Sequence, residues 1–324
     1  MWTETPAPVR CACLWCPSSM PDARIAIIVV NYNTASFVDE FASSLAQVRE
    51  PAWRLVVVDS GSHDRSLAAL QRAFPRAKVV ACDENVGFAA GANIGVRDAL
   101  DAGDDFVLFL NPDTVVSPGF LRAMLDAADE RTIVVPKLLY RDDPSLVSTH
   151  AGGFDWRRGV FRDTYHGKRD GPATNRRREG LETASFACAL VPARAFIDAG
   201  MLDERFFMYY EETDWLRRAL SLGYRIRYEP TAVVYHRESG SSGGGWMTTF
   251  KQYYATRNRL YLLRKNSGSR AAYAGFLAYF WLTRAPAALR MATRGEWRLL
   301  RAMLLGIRDY YRGRMGRTYE VGDV

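Results

Sequence analysis

The sequence predicts an α/β fold built on a mostly parallel sheet, and two observations support this. Short continuous apolar runs rich in β-branched residues recur along the first third of the chain, and such runs form strands covered on both faces. Segments with helical spacing of apolar residues lie between them, which indicates crossover helices joining parallel strands. The predicted strands are residues 25–30, 55–58, 78–81 and 106–110, and the predicted helices are residues 36–48, 66–74 and 89–100.

The composition of the 324-residue chain excludes a largely disordered protein and a disulfide scaffold. Hydrophobic residues make up 48% of it and only five residues are cysteine, so a core can form without crosslinks. Residues 1–250 carry 28 basic and 32 acidic side chains, whereas residues 251–324 carry 15 and 4. This asymmetry predicts an α/β domain over residues 24–245 and a basic helical region over residues 246–324 that meets an anionic partner.

Residues 1–23 are predicted to be a disordered extension. They contain Cys11, Cys13 and Cys16, but a zinc knuckle would need a fourth ligand nearby, and the first histidine is His63. The extension lacks the apolar run of a signal peptide, so secretion is not expected, and a translation start at Met20 is a hypothesis. The two remaining cysteines are isolated in apolar surroundings, as in reduced cytosolic proteins.

Polar residues follow each of the four predicted strands, where ligands bind in sheets of this type. Asn, Asp, Ser and Gly are also common in turns and helix caps, so each position alone has a structural explanation. Their coincidence at four successive strand ends favours a binding site, in which Asp59 would accept hydrogen bonds from a base or ribose. The candidate ligand-binding residues are Asn31, Asn33, Asp59, Asn85, Gly87, Asn93 and Asn111.

Asp113 is a candidate metal ligand, because it follows the buried-looking strand 106–110. A carboxylate there can hold Mg²⁺ or Mn²⁺ against a diphosphate, since phosphate oxygens and water supply most other ligands of these ions. His236 follows another apolar strand, where it either closes a buried hydrogen bond or binds Mn²⁺. The Gly/Ser-rich residues 239–245 beside it are predicted to form a lid that orders when ligand binds.

Three carboxylates, Glu211, Glu212 and Asp214, open a helix predicted to run to Leu220. The helix dipole favours acidic side chains in a first turn, so a purely structural explanation stays open beside a catalytic one.

Several motifs in a fixed order resemble the family 2 glycosyltransferases, most closely their bacterial rhamnosyltransferase-like branch. The motifs are VVNYN at residues 29–33, VVVDSGSHD at 56–64, NVGFAAGAN at 85–93, LNPD at 110–113, MLDERFFMYYEETDW at 201–215 and YH at 235–236. The resemblance covers about residues 24–265. It implies a GT-A fold and transfer of a sugar from a nucleotide diphosphate sugar with inversion at the anomeric carbon.

The resemblance also implies roles for individual residues. Asp59 matches the aspartate that contacts the nucleotide base, Asp113 matches the ligand of the divalent cation, and His236 matches a histidine that completes the metal site. The Glu211-Glu212 pair matches the position of the catalytic base, for which Glu212 is our first choice. Two departures stand out: Asn111 and Glu212 occupy positions where many relatives have Asp.

The basic tail has two possible uses. Residues 250–264 mix aromatic and basic side chains, and the apolar stretch 271–282 is predicted to be interrupted at Arg284 and Pro286, too short to span a membrane. A further helix is predicted either to lie on an anionic bilayer surface or to pack on the catalytic domain. It presents Trp297, Leu300, Met303, Leu304 and Ile307 at helical spacing among Arg294, Arg298, Arg301 and Arg308. Nucleic acid is not expected, because no recognised binding motif accompanies the charge.

The sequence thus predicts an inverting, metal-assisted glycosyltransferase at the cytoplasmic face of the membrane. It would add a deoxyhexose such as rhamnose to a saccharide acceptor, in particular a lipid-linked precursor of a cell-surface polysaccharide. Two alternatives remain: a sugar nucleotidyltransferase, which would form rather than consume a nucleotide sugar, and a non-catalytic membrane-associated protein that binds nucleotide sugars.

Overall fold

The computed structural model of the chain describes residues 23–49, 51–149, 151–162, 164–237 and 248–319. Its centre is an eight-stranded mixed sheet in the order β3-β2-β1-β4-β9-β6-β10-β5, with a separate hairpin formed by β7 and β8. The strands are β1 (Ile25–Asn31), β2 (Trp53–Asp59), β3 (Lys78–Ala81), β4 (Phe106–Leu110), β5 (Thr114–Val116), β6 (Thr132–Tyr140), β7 (Gly153–Asp155), β8 (Val160–Arg162), β9 (Cys188–Pro192) and β10 (Arg225–His236).

Helices cover both faces of the sheet and form a bundle after it. They are α1 (Val38–Leu45), α2 (Ser66–Ala73), α3 (Gly87–Ala102), α4 (Phe120–Asp126), α5 (Arg194–Asp198), α6 (Glu211–Ser221), α7 (Thr249–Asn266), α8 (Arg270–Thr293) and α9 (Trp297–Tyr311). Alternate residues of β1 enter different cores: Ala26 and Ile28 pack with α3, whereas Ile27 and Val29 pack with α1. Burial on both faces explains why this strand is continuously apolar.

The four predicted strands and the alternation with helices are confirmed. Strands β1 to β4 pair in parallel, whereas β9 is antiparallel to both β4 and β6, and β5 is antiparallel to β10. The individual strands and helices between residues 114 and 198 were not predicted, and only their general α/β class was expected. Residues 1–22 of the predicted extension 1–23 and the whole predicted lid at 239–245 lie outside the described residues.

Arg284 and Pro286 interrupt the apolar stretch but not the helix, because α8 runs through both residues. Proline in a helix removes one hydrogen bond to the carbonyl four residues earlier, here that of Leu282. Leu282 is 74% exposed, so this part of α8 lies at the surface of the protein. None of the described helices is long and apolar enough to cross a bilayer.

Helix α7 joins the helical bundle to the sheet domain. Its Leu260 and Leu263 are fully buried in a cluster with Phe206, Phe276 of α8 and Met303 of α9. Helix α9 approaches α7 closely at Gly306, where an added Cβ would lie 2.6 Å from the backbone oxygen of a tyrosine. One face of α9 therefore packs on the rest of the protein, which agrees with the alternative that this helix packs on the catalytic domain.

Candidate active site

A cavity of about 350 Å³ opens beyond the carboxyl ends of the strands. Residues from the sheet, from the turn before α6 and from the C-terminal region line it together. Its polar lining includes Ser60, Asn85, Asn111, Asp113, Glu211, Glu212, His236, Lys251, Arg317 and Tyr319. The sheet edge, the acidic helix start and the basic tail thus meet at one place, although they are far apart in the sequence.

Asn31 and Asp59 form a buried network behind this cavity rather than part of its lining. They are neighbours in the parallel pairing of β1 with β2. Asn31 Nδ2 donates to Asp59 Oδ1 at 2.6 Å and to Ser66 Oγ at 2.9 Å, and Ser62 Oγ donates to Asp59 Oδ1 at 2.7 Å. These bonds hold the loops after the two strands, so contact of Asp59 with a nucleotide base stays a prediction.

Two other predicted ligand-binding residues also lie outside the cavity lining. Asn33 is exposed with φ at 51°, and its side-chain oxygen accepts a hydrogen bond from the His63 backbone at 2.8 Å. Asn93 is buried, and its side chain both donates to and accepts from the backbone of Leu202, at 3.0 and 2.9 Å. These contacts indicate structural roles, because the amides of both residues are engaged by neighbouring loops.

Asn85, Gly87 and Asn111 do line the cavity, as predicted. Asn85 Oδ1 accepts hydrogen bonds from Ser60 Oγ at 3.1 Å and from the Gly87 backbone at 2.9 Å, which shapes the start of α3. Gly87 has φ at 79°, and a Cβ there would lie 2.5 Å from the backbone oxygen of Phe207. Glycine is therefore required for this close approach of two loops.

Asp113 and His236 lie side by side at the cavity wall. Antiparallel pairing of β5 with β10 sets His236 opposite Thr114, and this brings His236 Nε2 within 3.4 Å of Asp113 Oδ1. Asp113 Oδ1 is buried and accepts no hydrogen bond from the described residues. A carboxylate with such a buried oxygen, next to an imidazole, fits a divalent cation.

The described residues contain no cluster of three or more His, Cys, Asp or Glu arranged to hold a metal ion. An ion at Asp113 and His236 would therefore complete its coordination with ligand oxygens and water, as Mg²⁺ and Mn²⁺ commonly do.

Glu211 and Glu212 open α6 directly after a strained turn. Phe207, Tyr209 and Tyr210 have φ values of 67°, 71° and 75°, a left-handed conformation that side chains other than glycine rarely adopt. Such strain persists only where surrounding contacts enforce it, and it is common at functional sites. The turn aims both carboxylates into the cavity.

Burial raises the pKa values of both carboxylates. The pKa of Glu212 is raised to about 7 by burial. The pKa of Glu211 is raised well above its ordinary value, first by burial and then by the negative charge of Glu212. The Oε2 atoms of Glu211 and Glu212 are both buried, and neither accepts a hydrogen bond from the described residues. Burial thus favours the protonated form of both carboxyls, and the two groups titrate as a coupled pair in which Glu212 can accept a proton.

Two fully buried residues of α7 hold the strained turn in place. Asn258 Nδ2 donates to the backbone oxygens of Phe206, Met208 and Tyr209 at 2.9, 2.7 and 3.0 Å. Arg257 Nη2 donates to the Phe206 oxygen at 3.0 Å. Sequence reasoning missed this function, although the aromatic and basic pattern of residues 250–264 marked the segment as unusual.

Asp214 lies away from the cavity and joins α6 to α7. It is fully buried, with Lys265 Nζ 2.7 Å from Oδ2 and Asn266 Nδ2 donating to Oδ1 at 2.9 Å. Both oxygens are thus engaged by α7. This placement indicates a structural role for Asp214 instead of the catalytic role considered from the sequence.

The mixed sheet, with the carboxyl groups of Asp113, Glu211 and Glu212 lining one cavity at its edge, is typical of glycosyltransferases of the GT-A fold. The chain belongs to glycosyl transferase family 2, whose profile matches residues 26–198.

Among sequence relatives, the chain is 30% identical over 243 residues to the N-acetylglucosaminyl-diphospho-decaprenol L-rhamnosyltransferase of Mycobacterium tuberculosis (strain ATCC 25618 / H37Rv). That match covers 68% of this chain and 78% of the relative. The chain is also 22% identical to a dTDP-rhamnosyl transferase, RfbF, of Shigella flexneri, over 76% of this chain and 81% of the relative. The predicted resemblance to the rhamnosyltransferase-like branch is therefore confirmed.

Solved structures confirm the predicted fold class. The mannosyltransferase PcManGT from Pyrobaculum calidifontis, in complex with GDP-Man and Mn²⁺, superimposes with a TM-score of 0.54 at 14% identity, over 91% of this chain and 89% of that chain. TarS 1–349 of S. aureus in complex with UDP-GlcNAc gives a TM-score of 0.51 at 16% identity, over 93% and 95%. At these identities the likeness establishes the fold alone.

Proposed function

We propose that this protein transfers a sugar, with rhamnose the first candidate, from a nucleoside diphosphate to a lipid-linked saccharide, with inversion of the anomeric carbon. The observation that carries the proposal is that Glu212 lines the same cavity as Asp113 and His236. The names of the rhamnosyltransferase relatives support the choice of sugar and of acceptor.

The reaction is a single displacement. An acceptor hydroxyl oxygen bonds to the anomeric carbon while the bond from that carbon to the diphosphate oxygen breaks, and the nucleoside diphosphate leaves with the bonding electrons. The hydroxyl proton passes to the Glu212 carboxylate, which its pKa of about 7 makes an effective base near neutral pH. Mn²⁺ or Mg²⁺ held by Asp113 and His236 would supply charge neutralisation on the leaving diphosphate. Asn85 and Gly87 would lie beside the nucleotide.

The decisive experiment combines a nucleotide-sugar panel with a short-chain prenyl-diphosphate-linked N-acetylglucosamine acceptor and Mn²⁺. We expect transfer from dTDP-rhamnose above all, and a product anomer opposite in configuration to the donor when analysed by NMR. Absence of transfer from every donor would reject the proposal. Formation of a nucleotide sugar from nucleoside triphosphate and sugar phosphate would favour a nucleotidyltransferase instead.

We also propose that α8 and α9 attach the protein to the anionic cytoplasmic face of a membrane, which fits a lipid-linked acceptor. Large apolar side chains are exposed on these helices beside arginines: Leu282 is 74%, Leu289 67%, Trp297 62% and Leu304 52% exposed. Such a surface can enter the headgroup region while the arginines bind anionic lipids.

Flotation with anionic vesicles tests this attachment. Leu304→Glu should reduce vesicle binding several-fold, because it places a charge at the centre of the apolar surface. Ile197→Glu is the matched control, since Ile197 is 59% exposed on α5. Equal binding of both variants would exclude α9 from the attachment surface.

A further inference from the structure

The chain after α9 turns back to the cavity as a short segment, residues 316–319, which we call the C-terminal strap. It is fastened to α7 by several contacts. Arg257 Nη1 donates to the Gly316 oxygen at 2.8 Å, and the Tyr254 hydroxyl donates to the Tyr319 oxygen at 2.9 Å. The rings of Tyr253 and Tyr319 stack with their centroids 4.5 Å apart. The strap therefore has a defined position on the body of the enzyme.

The strap forms part of the cavity wall through Arg317 and Tyr319. Arg317 Nη1 lies 2.7 Å from Glu84 Oε2, so the strap reaches the loop that carries Asn85 at the nucleotide side. The Glu84 side chain is 72% exposed, and such surface pairs contribute little to stability. The ion pair with Glu84 is therefore a weak restraint on Arg317, and a phosphate group is a stronger acceptor for a guanidinium.

The buried Tyr319 hydroxyl indicates that a ligand binds in the cavity. Tyr319 is only 4% exposed, and its hydroxyl has no hydrogen-bond partner among the described residues. A buried hydroxyl without a partner is costly, and most buried polar groups in native proteins are satisfied. Because Tyr319 lines the cavity, a molecule bound there can provide the missing partner.

The charge of the cavity indicates what that molecule carries. The described lining residues include the acidic groups of Asp113, Glu211 and Glu212 and the basic groups of Lys251 and Arg317. A diphosphate entering beside these carboxylates needs positive charge close to its oxygens. Lysine and arginine are the side chains that proteins use to bind phosphate groups.

We propose that the strap and Lys251 form a diphosphate-binding wall, with Arg317 and Lys251 paired to phosphate oxygens and the Tyr319 hydroxyl donating to one of them. This inference rests on the proposed function, which supplies two sources of the group: the nucleotide donor and the prenyl-diphosphate acceptor. The location of Arg317 next to the loop of Asn85 favours the donor.

The test compares Tyr319→Phe and Arg317→Gln with the parent chain by calorimetry in Mn²⁺. Tyr319→Phe removes only the hydroxyl and keeps the stacked ring, so its fold should be preserved, as thermal unfolding will verify. The matched control is Tyr310→Phe. The Tyr310 hydroxyl forms a hydrogen bond with the Tyr273 hydroxyl, 2.6 Å away, and neither residue lines the cavity. The probes are UDP, dTDP, GDP, their monophosphates and farnesyl diphosphate.

We expect Arg317→Gln to weaken diphosphate binding about tenfold or more, and Tyr319→Phe to weaken it several-fold, as for hydrogen bonds to charged groups. In both variants, the ratio of the affinity for diphosphate to the affinity for monophosphate should fall. Residues with only a structural role would leave this ratio unchanged. A loss limited to nucleotides assigns the wall to the donor, and a loss limited to farnesyl diphosphate assigns it to the acceptor.

Two failures are distinguishable. If the parent binds both kinds of diphosphate but neither variant differs from the Tyr310→Phe control, the inference about the strap is wrong while the proposed function stands. If the parent binds neither a nucleoside diphosphate nor farnesyl diphosphate, the proposed function fails, and this inference fails with it.

Discussion

Replacement of the two cavity carboxylates one at a time provides a sharp test of the acid pair. Burial raises the pKa of Glu212 to about 7, and burial together with the negative charge of Glu212 raises the pKa of Glu211 well above its ordinary value. Glutamine has nearly the shape of a neutral carboxylic acid. Glu211→Gln therefore imitates the protonated form that burial favours for Glu211, whereas Glu212→Gln removes the group that accepts the proton.

The expected magnitudes follow from these protonation states. Glu212→Gln should lower kcat by about 10² to 10⁴, the usual cost of losing a general base, while donor binding remains measurable. Glu211→Gln should cost far less. In the parent enzyme, a base with a pKa of about 7 is ionised in roughly one molecule in eleven at pH 6 and in ten of eleven at pH 8. The rate should therefore rise about tenfold over that interval.

The assay is release of nucleoside diphosphate, at saturating substrates for kcat and at donor concentrations below saturation for kcat/KM. The pH dependence of kcat/KM from about pH 5.5 to about pH 8.5 reports the pKa of the free enzyme. Donor affinity is measured separately by calorimetry, so that lost binding cannot pass for lost catalysis. A rate that is constant between pH 6 and pH 8 would refute the raised pKa of the base. Equal losses in the two variants, or an unimpaired Glu212→Gln enzyme, would refute the division of roles within the pair.

Three further outcomes are expected. Glu211→Gln should raise Tm more at about pH 8 than at about pH 4. A carboxyl with a raised folded-state pKa stabilises the fold below its ordinary pKa of 4.5 and loses that contribution as pH rises. An equal change at both pH values in thermal scans would contradict this. Asp113→Asn should abolish the effect of Mn²⁺ on donor affinity, whereas Asp142→Asn, with a side chain 78% exposed, should retain it in the same titration. Gly87→Ala should lower the free energy of unfolding by at least about 1–2 kcal/mol, because the φ of Gly87 is 79° and a Cβ would lie 2.5 Å from a backbone oxygen. The control is Gly119→Ala, because Gly119 has open space for a Cβ. If urea unfolding shows that Gly87→Ala loses no more stability than Gly119→Ala, the prediction is wrong.

The strands of the parallel half of the sheet could be predicted because their signal is local. Each is a continuous apolar run, and burial on both faces leaves no polar alternation to confuse the pattern. The antiparallel β9 was not predicted, since its insertion between β4 and β6 depends on pairing partners far away in the chain. The continuity of α8 through Pro286 could not be predicted, because a proline can either end a helix or be accommodated within it.

Within the site, the sequence by itself determined which residue types stand at strand ends and helix starts, and hence Asp113, His236, Glu211 and Glu212. Only the tertiary structure decided which of the polar candidates share the cavity. Asp59 and Asp214 have the same side chain and look equally suitable in the sequence, yet neighbouring loops and α7 engage their oxygens. Likewise Tyr319 has no distinguishing local pattern. Hydrogen-bond partners and burial are set by long-range packing, which a local sequence pattern does not encode.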